Sequence, residues 1–348
     1  MPAFNLEVFN RAMEPKGHTT VEKFIHSEDY LTLPDTMITV NEQIDAMGGD
    51  FIRIQGGDNE IFGILQDPID NRITGEQRFK EFVSLFDANI LFDTTLQGGS
   101  IPLEYVIEDY IKKGWIENGD TAQNIPGLRT EIISNTRSWG FNLTSDVEGS
   151  GKTMINFQGV LLRRALTEYR IGVYAYPDFA SKTIVLRIGR RSEEPTVIEA
   201  DLPTVLSKTI MAENRANAIN KVIVYNRQNL METPIIYYLH PNGTFDTINR
   251  DRITPVVYSM IYAEGESFDA SAAAEAGKIF QTESNNYADM ILLNEADAAK
   301  MEIGQQARII SNGSSILAVL TGKESGTTTR LIFGTQRLEL TKILKMRR

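Results

Sequence analysis

Short runs of alternating apolar and polar residues, separated by Gly, Asp and Asn, fill the first 95 residues. Residues 51–55 have the period of two that is typical of half-buried strands, residues 37–40 and 61–65 are further short strand-like runs, and Gly-Gly-Asp-Asn at 56–59 supplies a turn. The pattern predicts a first small antiparallel β-barrel domain over residues 1–95.

A helical period begins after Ser100, which is a suitable N-cap. The apolar residues that carry it are Leu103, Val106, Ile107, Tyr110 and Ile111. Lys-Lys-Gly at 112–114 matches the basic last turn and the glycine that commonly end a helix.

The region up to residue 200 mixes helix and strand patterns. A second apolar stripe predicts a helix at 160–169, and strands are predicted at 172–176 and 183–188. Residues 96–200 are therefore predicted to form an α/β domain.

Strand patterns return after residue 200. They lie at 221–225, 235–239, 307–310, 316–320, 331–333 and 338–344. A helix with an alanine-rich first turn is predicted between them at 267–293. This order predicts a second β-barrel domain from residues 201–245 and 300–348, with a helical insertion at 246–299. The chain as a whole is predicted to have a β-rich α+β fold: two small antiparallel β-barrel domains, an α/β domain between them and the insertion in the second barrel.

The charge of the chain is negative and unevenly distributed. The 348 residues include 35 Lys and Arg against 46 Asp and Glu, a net charge of −11. Residues 1–100 hold 7 of the basic and 17 of the acidic residues, so this segment alone has a net charge of −10. Basic residues cluster only in the last seven positions, which argues against sequence-specific nucleic-acid binding.

Two further classes of protein are excluded by composition. The chain has no cysteine, so disulfides, thiolate metal sites and cysteine nucleophiles are impossible. Neither a signal peptide nor an apolar stretch long enough for a membrane-spanning segment is found.

The string Gly149-Ser150-Gly151-Lys152-Thr153 ends like a phosphate-binding loop. The full motif needs a glycine at position 146, which is Asp146, and a helix directly after the loop, whereas residues 154–157 have a strand pattern. Asp146 and Glu148 would also place carboxylates near the phosphates. A hairpin tip is the favoured interpretation.

Neither the histidines nor the acidic residues define a site in the sequence. His18 and His26 are eight residues apart in a segment with no carboxylate arranged at metal-ligand spacing, and His240 precedes Pro241 at a turn. All three are therefore predicted to be surface residues. The carboxylates that could form an acid/base pair are Asp87, Asp93, Glu104, Glu108 and Asp109. The sequence does not show whether any two of these carboxylates lie close together in the fold. It therefore assigns no catalytic residue, no metal ligand and no cofactor.

Three segments together resemble a known family. Residues 91–95 (LFDTT), 221–226 (KVIVYN) and 331–342 (LIFGTQRLELTK) are similar to tail proteins of siphophages and prophages of Gram-positive bacteria. Specifically, the chain resembles the baseplate-hub, or tail-associated, protein of the tail tip, of the kind found in Listeria prophages.

This resemblance implies a structural, non-enzymatic homotrimer. Two similar barrels in each of three subunits would form a pseudo-six-fold ring that mates with the hexameric distal tail protein and the tube. The other implied partners are the tape measure protein and tail fibre or receptor-binding proteins. The implied location is the virion tail tip, after synthesis in the bacterial host cytoplasm. Larger relatives continue into a hydrolase or fibre-binding region, which is not expected in a chain that stops at Arg348.

Two other functions stay open from the sequence. One is a tail-tip cell-wall or polysaccharide hydrolase that uses an Asp/Glu pair, and the other is a nucleotide-dependent assembly factor that uses residues 149–153. A separate hypothesis concerns the acidic first segment: if it lines the central channel, like-charge repulsion would keep passing DNA from adhering.

Overall fold

The computed structural model consists of two compact units. The larger unit contains residues 1–209 and 288–348, and the smaller one contains residues 210–287. The described residues are 4–56, 59–66, 72–96, 101–137, 139–141, 151–192, 194–211, 220–240, 245–249, 258–263, 267–281, 286–326 and 328–334. None of the helices among these residues is both long and apolar enough to cross a membrane.

Six antiparallel strands close into a barrel at the start of the larger unit. They are β1 (Phe4–Phe9), β2 (Pro15–Asp29), β3 (Thr36–Asp45), β4 (Phe51–Gly56), β5 (Asn59–Leu65) and β6 (Arg72–Glu81). Their order is β1-β4-β5-β6-β3-β2, and β2 pairs with β1 to close the barrel. Alternate residues point inward, and Leu6, Val8, Ile52, Ile54 and Phe79 are among those that form the core. The predicted first barrel is confirmed.

A mixed layer follows the barrel. Its elements are β7 (Asn89–Asp93), α1 (Leu103–Ile111), β8 (Leu128–Ile132), β9 (Lys152–Asn156), α2 (Arg163–Tyr169), β10 (Gly172–Asp178) and β11 (Thr183–Gly189). Strands β10, β11 and β8 form one sheet, which α1 contacts, and β7 pairs with β9 in a two-stranded antiparallel ribbon. The predicted α/β character is confirmed, although α1 continues as a π-helix over Lys112–Ile116 instead of ending at residues 112–114.

The remaining elements alternate between the two units. They are β12 (Thr196–Glu199), β13 (Val205–Met211), β14 (Lys221–Asn226), β15 (Ile235–Leu239), β16 (Phe245–Asp246), β17 (Tyr258–Ala263), α3 (Phe268–Gln281), β18 (Tyr287–Leu292), β19 (Gln306–Ser311), β20 (Ser314–Ser325) and β21 (Thr329–Phe333). A six-stranded half-barrel has the order β12-β19-β20-β21-β18-β13. The pair β12–β19 is parallel and the pairs β19–β20, β20–β21 and β18–β21 are antiparallel. The β-rich fold class is thus confirmed, with a closed barrel and an open one.

One long strand joins the barrel to the half-barrel. The first half of β20 pairs with β19, and the second half pairs with β21 on one edge and with β2 on the other. The β2–β20 register runs from His26 opposite Ser325 to Asp29 opposite Gly322. We call this junction the seam.

The smaller unit is a four-stranded sheet covered by one helix. Strands β16, β15, β14 and β17 form the sheet, and α3 packs on one face through Ala272 and Ala276 against Val222 and Val224. The sequence assigned β14 and β15 to the second barrel, whereas the structure places both in this unit. The four-domain division of the chain as a whole stays a prediction.

The prediction of one helix over 267–293 is wrong. Helix α3 ends at Gln281, and Tyr287–Leu292 is strand β18, paired with β21. Ala288, Met290 and Leu292 are buried in β18, which is the period of two of a strand. The helical spacing seen in the sequence was coincidental, because tertiary pairing outweighs local propensity here. The strand predicted at 338–344 lies outside the described residues.

Candidate functional site

Glu104, one of the candidate catalytic carboxylates, is a structural residue of the α1 N-terminus. Its side chain is fully buried. It accepts hydrogen bonds from Ser134 Oγ at 2.6 Å, from the Thr136 backbone N–H at 2.8 Å and from Thr136 Oγ1 at 3.0 Å. A carboxylate in the first turn also suits the helix dipole. Glu104 therefore fixes the segment after β8 to α1.

The other four candidate carboxylates also have local partners. Glu108 accepts from Thr130 Oγ1 at 2.6 Å and pairs with Lys112, and Asp109 pairs with Lys113. Asp87 accepts from Asn156 Nδ2 at 2.8 Å. Thr95 donates both its hydroxyl and its backbone N–H to Asp93, and these bonds lower the pKa of that carboxyl. All five thus have identifiable roles in local structure.

The loop-like string at 149–153 lies only partly in the described region. Gly149 and Ser150 are outside it, while Lys152 and Thr153 begin strand β9, which runs antiparallel to β7. The strand predicted after the string is confirmed. A phosphate loop needs a helix at that position, so the arrangement is that of a strand in a ribbon.

The prediction of surface histidines is wrong at two of three positions. His18 is exposed on β2, but His26 and His240 are buried. His240 Nε2 lies 3.0 Å from Asp246 Oδ1. His26 lies between two carboxylates, Glu28 and Glu81. The spacing of His26 and Glu28 could have indicated from the sequence that these two side chains lie together, because residues two apart on a strand share a face.

The His26 cluster stands at the seam. His26 Nε2 is 2.8 Å from Glu81 Oε1 and 3.5 Å from Glu28 Oε1. His26 and Glu28 come from the part of β2 that pairs with β20, and Glu81 ends β6 of the barrel. In the part of the chain that the structure describes, this is the one group of three His, Asp or Glu side chains close enough to hold a metal ion.

Burial and mutual charge shift the titration of this cluster. Burial disfavours the imidazolium of His26, but the hydrogen bond to Glu81 and the charges of Glu28 and Glu81 outweigh it and raise the pKa of His26. Burial and the charge of Glu81 raise the pKa of Glu28. Burial lowers the pKa of Lys323, which lies opposite Glu28 in the register.

A buried tyrosine connects the mixed layer to the half-barrel. The ring of Tyr174 on β10 lies between Gly172 and Gly304: a Cβ built on these glycines would stand 2.3 Å and 1.9 Å from its hydroxyl oxygen. The Arg191 guanidinium carbon is 4.0 Å from the centre of the same ring. This contact leaves no room for larger residues at either glycine.

The half-barrel has two edges without a partner among the described strands, one at β12 and one at β13. Three apolar side chains on these strands and on the turn between them are more than half exposed: Val197, Leu202 and Leu206. Asp201 holds the turn in place by accepting from Lys208, Ser311 and the Asn312 backbone N–H, and these bonds lower its pKa to about 2. Open edges with exposed apolar residues are typical of surfaces that bind other chains.

Solved structures with a similar fold include proteins of phage tails. A chain of the phage P2 baseplate in its activated conformation with Ca superposes with a TM-score of 0.52 at 12% identity, over 97% of this chain and 100% of that one. This chain has a phage baseplate-protein fold. A prophage tail protein from Listeria monocytogenes EGD-e gives a TM-score of 0.47 at 11% identity, over 98% of both chains. A tail protein from Neisseria meningitidis MC58 gives 0.49 at 11%, over 96% of this chain and 97% of that one. No protein-family model and no curated protein matches the sequence.

Proposed function

We propose that this chain is a structural, non-enzymatic component of a phage or prophage tail tip that forms a homotrimeric ring around the DNA channel. The observation that carries the proposal is the baseplate-protein fold, with a closed six-stranded barrel and a six-stranded half-barrel in one subunit. Three such subunits would present six barrel-like layers, which matches a hexameric partner.

The half-barrel edges are where we expect copies of the chain to meet. Each copy has two open edges and three exposed apolar residues, Val197, Leu202 and Leu206, on the strands and turn that carry those edges. A second copy of the same chain is the occupant that a ring requires, because a head-to-tail contact closes after a fixed number of subunits.

The remaining partners follow from the place of such a ring in a tail. The upper face would bind the hexameric distal tail protein and the tape measure protein, and the lower face would bind fibre or receptor-binding proteins. The acidic first 100 residues, with a net charge of −10, are the part of the chain that we expect to face passing DNA.

The hydrolase alternative has little support from the described residues. Each of the five candidate carboxylates bonds a neighbouring side chain or backbone group, and Glu104 is fully buried. A catalytic acid or base must come within hydrogen-bond reach of its substrate.

The test of the ring is the mass of the purified chain by light scattering over a concentration series. We expect three times 39.0 kDa, or monomers that convert to trimers as concentration rises. Leu206→Asp should shift the equilibrium to monomer by placing a charge in the contact. Leu91→Asp, at an equally exposed residue of the β7–β9 ribbon, is the matched control and should stay trimeric.

The outcomes separate the two parts of the proposal. A strict monomer at all concentrations contradicts the ring. A trimer that Leu206→Asp leaves intact and Leu91→Asp disrupts supports the ring but moves the contact from the half-barrel edge to the ribbon.

A further inference from the structure

Three side chains at the seam have the composition and spacing of a metal site. His26 offers an imidazole nitrogen, and Glu28 and Glu81 each offer a carboxylate oxygen, with all three ligand atoms within 4.8 Å of one another. We propose that His26, Glu28 and Glu81 bind one divalent transition-metal ion of the zinc type. The proposal does not depend on the oligomeric state or on the tail-tip function.

The distances suit tetrahedral coordination. Zinc binds imidazole nitrogen and carboxylate oxygen at about 2.0–2.2 Å, so two ligand atoms around it stand about 3.3 Å apart. The two distances from His26 Nε2 are 2.8 Å to Glu81 and 3.5 Å to Glu28. They bracket this value, so small side-chain shifts would complete the geometry. Three protein ligands with a water as the fourth is a common zinc arrangement.

The backbone holds the ligands on two different elements. His26 and Glu28 are two residues apart on β2, so their side chains lie on the same face of the strand, and pairing with β20 fixes that segment. Glu81 ends β6, opposite Gly63 of β5 in the barrel. An ion at this place would therefore tie the end of β6 to the part of β2 that pairs with β20.

The cluster is accessible to an ion, and the neighbouring cations have partners of their own. The imidazole is buried, while the side chains of Glu28 and Glu81 are 31% and 23% exposed. Lys323 donates to the Met301 carbonyl at 3.0 Å, and Arg191 pairs with Glu302. Imidazole with two carboxylates favours zinc over calcium, because calcium takes six to eight oxygen ligands.

The test is calorimetric titration of the tag-free full chain with ZnCl2 in a non-chelating buffer. We expect one equivalent of zinc to bind, and saturating zinc to raise the melting temperature. Glu81→Gln and Glu28→Gln should each weaken binding at least tenfold, since each loses an anionic ligand. His18→Gln removes an exposed histidine of the same strand and is the matched control, with unchanged affinity. Cobalt(II) should give the strong visible absorption of a tetrahedral site.

Each possible result decides the question. Absence of zinc binding, or binding that both glutamate variants preserve, overturns the proposal. Equal competition by Ca²⁺ overturns it as well, because it would show a site of oxygen ligands only. If Glu81→Gln fails to fold, as judged by tryptophan fluorescence, Glu28→Gln at the more exposed carboxylate decides alone.

Discussion

Replacing Glu104 by alanine is expected to lower the free energy of unfolding by about 3 kcal/mol. The change leaves the hydroxyls of Ser134 and Thr136 and the Thr136 backbone N–H without their acceptor, where the carboxylate is now fully buried. Urea unfolding followed by tryptophan fluorescence measures the effect. Both tryptophans, Trp115 and Trp139, lie in the larger unit, so the signal reports on the unit that contains Glu104.

Glu108→Ala is the matched control on the same helix. It removes the hydrogen bond from Thr130 and the pair with Lys112 at a partly exposed position, so a loss of about 1 kcal/mol or less is expected. Equal effects of the two substitutions would contradict the structural role of Glu104. That role matters for function, because the residue was one of five from which a hydrolytic pair could have been chosen.

The barrel strands were predictable because their alternation is local. The run at 51–55 and its neighbour at 61–65 became β4 and β5, which pair with each other in the barrel. The alternation does not show whether a set of strands closes into a barrel. Strand β2 has 15 residues and β20 has 12, and each is shared between two sets of neighbours. Only the strand pairing and its register show that the first barrel closes and that the half-barrel stays open.

The site was less predictable, because its residues are distant in sequence. Two of the three residues of the His26 cluster could have been recognised in the sequence, since His26 and Glu28 lie two positions apart on one strand and share a face. Glu81 is 55 residues away from His26 and joins them only through the pairing of β3 with β2 and β6. The buried state of His26 likewise depends on β20, which lies near the far end of the chain. No spacing rule for metal ligands spans such a separation.

Replacing Gly304 by alanine is expected to destabilise the larger unit by about 3–4 kcal/mol. Two causes add. The residue has φ +89°, which strains any side chain, and the new Cβ would stand 1.9 Å from the Tyr174 hydroxyl oxygen. Tyr174 is buried beneath Arg191 and beside Gly172, so its ring has no free space to enter. Urea unfolding with tryptophan fluorescence is again the measurement.

Gly313→Ala separates the two causes, because Gly313 has φ +73° but nothing within 4 Å of the added Cβ. Gly313→Ala should lose only the stability that the strained backbone conformation costs, about 1 kcal/mol.

Tyr174→Phe should be neutral alone, since the buried hydroxyl has no hydrogen-bond partner in the described structure. When Tyr174→Phe is combined with Gly304→Ala, it should restore part of the lost stability. The atom nearest to the new Cβ is then the ring carbon, at 2.8 Å. If Gly304→Ala and Gly313→Ala lose the same stability, the close contact between the mixed layer and the half-barrel does not exist. If the double variant regains stability, the loss in Gly304→Ala comes from the contact of the added Cβ with the Tyr174 hydroxyl.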